Sequence, residues 1–201
     1  MSLVLPLALV LALGACSVAP PKVQPDRPVD ELYNTGVNLI QRNEPTRAIQ
    51  FFEEVERQHP YSIWANKAIL MAAYTRYRTH RYDEAVIGLD RFVRLHPGSN
   101  DIAYAYYLRA LCFYEQIADI RRDQAATRQA TDALQDVVRR FPNSKYATDA
   151  KLKIDLTFDQ IAGQEMAVGR WYQQRGEHQA AINRFNIVVK DYQTTSHVPE
   201  A

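Results

Sequence analysis

Cys16 is the residue of this chain whose surroundings prescribe a reaction. It follows Leu13-Gly14-Ala15, and residues 1–15 hold twelve apolar side chains and no charge. A thiol set behind small residues at the end of an apolar leader is placed for thioether linkage to diacylglycerol, cleavage of the leader and acylation of the new amine. The leader is shorter than the about 20 residues a membrane-spanning helix needs. Several acyl chains would hold the protein firmly at a membrane, since each buried methylene is worth about 0.8 kcal/mol. The other cysteine, Cys112, is then left without a partner; in Leu111-Cys112-Phe113 it reads as a small buried hydrophobe.

Other reactive constellations are absent from the sequence. The 7 glycines are scattered and form no phosphate-binding loop. No His-Glu-x-x-His or Cys-x-x-Cys spacing offers metal ligands. The five histidines lie far apart; His59 and His96 occupy matching helix ends, where capping and dipole interactions are expected. Glu53-Glu54 and Arg121-Arg122 read as solvated faces. No catalytic residue, metal or cofactor is assigned, apart from the covalent lipid. A net charge of +1 gives no general attraction to nucleic acid. Hydrophobic residues at 47% and charged residues at 23% are ordinary for a folded domain with a core of its own.

What must position Cys16 is therefore a leader over 1–15 and a tether over 16–29. The tether holds Pro20, Pro21, Pro25 and Pro28 and no apolar periodicity, so it reads as semi-extended. The order of leader, small residues and cysteine looks like the lipobox of bacterial lipoproteins. Asp after the cysteine would retain such a lipoprotein at the inner membrane in enteric-type sorting; Ser17 stands there and favours the outer membrane.

Residues 30–201 repeat. Ala48, Phe52 and Pro60 are spaced 4 and 8 apart, as are Ala85, Leu89 and Pro97, Ala130, Leu134 and Pro142, and Ala181, Phe185 and Gln193. Gly36, Ala73 and Gly169 each precede the alanine by 12. A small residue lets paired helices approach, a large apolar one fills the gap, and proline closes the second helix. The pattern is similar to the tetratricopeptide repeat, a helix pair of about 34 residues. It predicts an all-α solenoid. Two spacings depart from it. The third repeat carries 8 extra residues near Ile117–Thr127, read as a solvated loop between helices. The fourth carries a surplus over about Lys145–Ala162, where Ala147, Ala150, Ile154, Phe158 and Ile161 keep helical spacing and predict an added or extended helix. Ser196 and Pro199 suit the start of a further helix, so a C-terminal truncation is expected.

In such solenoids the first helix of each pair lines the concave face. With Gly36, Ala73 and Ala110 equivalent, that face receives Tyr33, Leu70, Tyr74, Tyr77, Tyr104, Tyr107 and Tyr114, with Lys67 and Arg78 beside it. Six of the 12 tyrosines fall there. Tyrosine offers a rigid apolar face and a hydroxyl, which suits an extended peptide, and a neighbouring cation suits a terminal carboxylate.

The lipobox, the tether and three segments together resemble the BamD (ComL) family. The segments are Asp90-Arg91-Phe92-Val93-Arg94-Leu95-His96-Pro97, Phe141-Pro142-Asn143-Ser144-Lys145-Tyr146-Ala147-Thr148-Asp149-Ala150 and Ala181-Ile182-Asn183-Arg184-Phe185. The resemblance implies a noncatalytic, lipid-anchored scaffold on the periplasmic face of the outer membrane. It implies binding to the POTRA domains of BamA through the C-terminal repeats, alongside other subunits of the assembly machine. It further implies that unfolded outer-membrane β-barrel proteins are received at the N-terminal repeats through a C-terminal signal ending in an aromatic residue. Arg184 is the residue the resemblance carries over as a BamA contact. The alternative is a repeat lipoprotein that serves as adaptor in another cell-envelope complex of the Tol–Pal type.

Overall fold

A computed structural model describes residues 26–117 and 124–201. The leader, Cys16 and most of the tether lie outside the described residues, as do Asp119, Arg121, Arg122 and Asp123 of the third-repeat insertion. Eight helices follow one another among the described residues: α1 (Val29–Gln41), α2 (Pro45–Gln58), α3 (Ile63–Arg78), α4 (Tyr82–Leu95), α5 (Ile102–Tyr114), α6 (Gln124–Arg140), α7 (Lys145–Gln174) and α8 (His178–Asp191).

Local chemistry sets their ends. Pro28 precedes α1 and Pro45 opens α2, where a missing N–H costs nothing. Ser62 and Ser144 cap α3 and α7 by accepting from the amides of Ala65 and Ala147, each at 3.2 Å. Three turns inside helix pairs share one device. Asn43, His80 and Gly176 take positive φ, each five residues before the repeat alanine. The next amide in each turn bonds back to the end of the first helix: Glu44 to Leu39, Arg81 to Arg76 and Glu177 to Tyr172. At the equivalent place in the third pair, five residues before Ala130, Ala125 already lies within α6.

Each helix packs on its neighbour in sequence, giving antiparallel pairs α1–α2, α3–α4, α5–α6 and α7–α8. The first helices also touch one another, α1 on α3, α3 on α5 and α5 on α7; no second helix comes that close to the next second helix among the described residues. Contact on one layer and divergence on the other curve the stack, with first helices on the concave side.

The core repeats with the pairs. Its first cluster holds Leu32, Phe52 and Val55, the second Ala73, Leu89 and Phe92, the third Ala110, Leu134 and Val137, the fourth Ala162, Met166 and Val188. Residue volumes compensate across each pair. Gly36 faces Phe52 and Gly169 faces Phe185, each so closely that a Cβ on the glycine would strike the ring. Where the second helix offers the smaller Leu89 or Leu134, the first offers an alanine, Ala73 or Ala110.

The two departures in spacing have different outcomes. The insertion is shorter in loop than its length suggests, because Gln124–Thr127 already belong to α6. The surplus before the fourth repeat is not a separate helix: it is the first half of α7, a single helix of 30 residues. Ala150 packs in the third cluster and Met166 in the fourth, so the first half of one helix closes the third layer and its second half opens the fourth. After α8 the chain makes turns rather than the helix expected from Ser196. The Ser196 amide and hydroxyl instead donate to Asp159 Oδ1 of α7 at 3.0 and 2.8 Å.

Candidate functional site

The concave layer presents tyrosines from consecutive first helices because each supplies the residues one turn either side of its small packing position. On α3, Tyr74 and Tyr77 flank the buried Thr75. The Arg78 guanidinium lies 6.0 Å from the Tyr74 ring and donates to its hydroxyl at 3.3 Å. The Tyr77 hydroxyl donates to Glu115 Oε1 at 3.3 Å, at the C-terminal end of α5. On α5, Tyr107 stacks on Tyr146 of α7 with centroids 5.2 Å apart, and Tyr104 meets the same ring at 5.6 Å. The Tyr107 hydroxyl donates to Asp149 Oδ2. Tyr114 lies under Lys153, whose Nζ is 5.1 Å from the ring centre.

Tyr74, Tyr77, Tyr104, Tyr107 and Tyr146 thus form one aromatic surface over three helices. Tyr33 is apart from it, set in the first layer against Phe52 at 5.6 Å and Trp64 at 4.9 Å, with Lys67 over Trp64 at 5.2 Å. Leu70 departs from expectation: it is 5% exposed and belongs to the second core cluster, so it offers a peptide almost nothing. A register error of one position separates a groove residue from a core residue on a helix, since both lie within a 100° step. Cys112 is fully buried, as the sequence implied, and burial pushes its thiol up to about 12.

Burial sets the electrostatics. It is the main cause that pushes the Tyr77 hydroxyl up to about 12, with Glu115 adding to it. Burial likewise raises Tyr104, and burial together with the bond to Asp149 raises Tyr107. These hydroxyls stay protonated donors across the physiological range. The surface can therefore stack aromatic side chains and donate hydrogen bonds to peptide carbonyls, and Arg78, Lys145 and Lys153 supply positive charge at its margin.

Tyr146, Asp149 and Glu115 escape the sequence reading. The signal for Tyr146 was present, since it adjoins Ala147 at the start of a helical pattern. Recognising it requires knowing that the first half of α7 closes the third layer. Among the described residues no cluster of His, Cys, Asp or Glu could hold a metal ion. No described helix is long and apolar enough to cross a membrane.

Arg184 stands at the far end of the molecule, on α8. Its guanidinium donates to Glu165 Oε2 of α7 at 3.0 Å, and the Glu165 side chain is only 8% exposed. Arg184 itself is part-exposed, so one guanidinium satisfies a buried carboxylate and still faces outward.

The sequence from residue 25 to 201 matches the family described as YfiO, outer membrane lipoprotein. This chain belongs to that family. Outer membrane protein assembly factor BamD of Caulobacter vibrioides is 53% identical over 182 residues, 90% of this chain and 60% of the relative. The protein of the same name in Rickettsia prowazekii is 43% identical over 97% of this chain and 78% of the relative. That of Neisseria meningitidis serogroup B is 34% identical over 99% and 80%. The chain thus spans three fifths of the Caulobacter relative's length and about four fifths of the other two. A thermophilic TPR protein of Thermus thermophilus is similar at 16% identity with a TM-score of 0.47, covering 83% of this chain and 93% of that one. In this chain the geometry above supplies a tyrosine surface on the inner layer and a part-exposed Arg184 paired with Glu165 on the last helix pair.

Proposed function

We propose that this protein is a lipid-anchored scaffold of outer-membrane protein assembly. Cys16 carries the lipid, the inner tyrosine surface holds an extended segment of an unfolded β-barrel precursor, and the last helix pair binds BamA. The reading rests above all on the tyrosine surface, which runs over α3, α5 and α7 with protonated hydroxyls inside and cations at its edge. The names of the relatives support the wider role. The reading is of a scaffold rather than an enzyme, in keeping with relatives named as assembly factors. Tethering at a membrane would raise the local concentration of scaffold and partner without any new contact.

The test is binding of a labelled peptide from the C-terminus of an outer-membrane β-barrel protein, ending in Phe with a free carboxylate. Tyr107→Ala is expected to weaken binding about 30-fold, the size of a central aromatic anchor. Amidation of the peptide is expected to weaken it further, and Arg78→Gln to remove that difference. Unchanged affinity in Tyr107→Ala would remove the groove from the reading.

For Arg184, charge reversal would set a second carboxylate against buried Glu165 and confuse folding with contact. Arg184→Met in a Glu165→Gln background, which leaves no buried carboxylate unpaired, is the better probe of binding to the BamA POTRA domains, with Glu165→Gln alone as control. The double variant should abolish capture while Glu165→Gln alone retains it. Equal loss in both would assign Arg184 to the internal pair alone.

A further inference from the structure

The chain enters the solenoid at a defined point. The Arg27 amide donates to Gln58 Oε1 at 2.8 Å, and the ring Nε2 of His59 meets the Arg27 carbonyl at 2.7 Å. These bonds pin the end of the tether to the corner between α2 and α3. Tyr61, two residues beyond His59, is fully exposed, and Ile63, the first residue of α3, is 75% exposed. The corner is ordered rather than frayed: Pro60 stiffens it, the Ser62 amide donates to the His59 carbonyl at 3.0 Å, and the Ser62 hydroxyl caps α3. Two large apolar side chains are held out into solvent by a built turn.

Antiparallel pairing brings the end of every second helix and the start of every first helix to this same edge. Leu95, at the end of α4, is exposed there as well. Cations accompany these tips: Arg57 and Arg94 in the last turns of α2 and α4, and Lys67 one turn into α3. Asp26, Asp30, Glu31, Glu54 and Asp101 share the edge, with Glu54 bonded to Arg57, so the apolar tips rather than net charge carry the contact. Tyrosine and isoleucine tips beside arginine and lysine suit the interfacial zone of a bilayer, where amphipathic rings sit at headgroup level and cations meet anionic phosphate. The covalent path limits where that bilayer can be. Ten Cα-to-Cα steps lead from Cys16 to Asp26, so a lipid on Cys16 lies within about 35 Å of this edge.

We propose that this edge is apposed to the phospholipid surface, with Tyr61 and Ile63 seated in the interface as a second, noncovalent contact that orients the scaffold. The inference rests on the lipid-anchor reading of Cys16. A surface so fixed stands the first helix pairs end-on against the membrane, with the stacking direction running along it.

The experiment imposes the anchor, so that its outcome does not depend on cellular acylation. The chain from Cys16 onward is coupled through that thiol to a maleimide-headed lipid; Cys112 is buried and its thiol is unreactive at neutral pH. Coupled Tyr61→Trp is placed in vesicles of phosphatidylethanolamine with a minority of phosphatidylglycerol, with and without brominated acyl chains. Ile87→Trp, exposed near the middle of α4 and about 12 Å along the helix from its end at this edge, is the control. Circular dichroism checks that both keep the parent helix content. The emission added by the indole at 61 is expected to lose most of its intensity on bromination, and that at 87 none. An unquenched indole at 61, or equal quenching at both sites, overturns the proposal. Separately, the intact mass of the chain made in its host shows whether Cys16 is acylated, so failure of the anchor and failure of the edge are read by different measurements.

Discussion

Gly36→Ala puts the volume rule of the helix pairs to a quantitative trial. A Cβ on Gly36 would lie 2.7, 2.9 and 3.0 Å from three atoms of the Phe52 ring. The ring is 1% exposed and is held edge-on by Tyr33, so it has no open space to retreat into. Overpacking of a tight core costs about 2–3 kcal/mol. Replacing glycine by alanine inside a helix returns roughly 1 kcal/mol. The net loss is then about 1–2 kcal/mol. Phe52→Leu alone leaves a void and costs about 1–2 kcal/mol. Adding the two singles predicts a loss of about 2–4 kcal/mol for the double variant. The double variant, however, recreates the Ala73–Leu89 pair of the second layer, both of whose members are fully buried. It should fall within about 1 kcal/mol of the parent. That is a coupling of about 2 kcal/mol, well beyond the 0.3–0.5 kcal/mol or so by which independent sites fail to add. The assay is thermal unfolding followed by circular dichroism, in which 1 kcal/mol moves the midpoint by about 2–4 °C for a domain of this size. A double variant that loses the full sum of the singles would refute the idea that small and large residues are matched across each pair.

Two further outcomes follow from the turns and the buried hydroxyls. Asn43→Gly should stabilise the protein by about 0.5–1 kcal/mol, because Asn43 sits at φ 60 with a side chain that forms no bond there; an unchanged or lowered midpoint would contradict it. Tyr77 is raised from 10.0 to about 12 in the folded state, so its contribution to stability is fully present below pH 10 and is lost as pH rises toward 12. Alkaline titration followed by tyrosinate absorbance should show a late step near pH 12 that Tyr77→Phe removes; a titration curve unchanged by that substitution would count against the buried surface.

The repeat spacings were readable because a helix pair fixes them. Gly36, Ala73 and Gly169 stand 12 residues before Ala48, Ala85 and Ala181, and each does in the fold what its size allowed. The division of α7 was not readable in the same way. Lys145–Gln174 contains no proline and no left-handed turn residue, and periodicity alone does not say where one layer ends and the next begins. That gap hid Tyr146 and Asp149, which meet Tyr104 and Tyr107 of α5. Leu70 failed for a geometric reason, since three residues before the small position lies the seam between core and groove. The pair Arg184–Glu165 joins residues 19 apart on two helices, a distance that no local pattern encodes.

The 30 residues of α7 amount to a rod about 45 Å long at 1.5 Å per residue. In most helical arrays each layer can melt while its neighbour stands, because the links between layers are short loops and side-chain interfaces. Here the third and fourth layers share one uninterrupted ladder of backbone hydrogen bonds. Opening either layer frays amides that the other depends on. Hydrogen exchange along Lys145–Gln174 should therefore proceed as a single cooperative block, while α1–α2 opens at lower free energy. The α7 portion of the surface that would receive a precursor and the helix pair that would hold a partner are thus locked into one unit of unfolding.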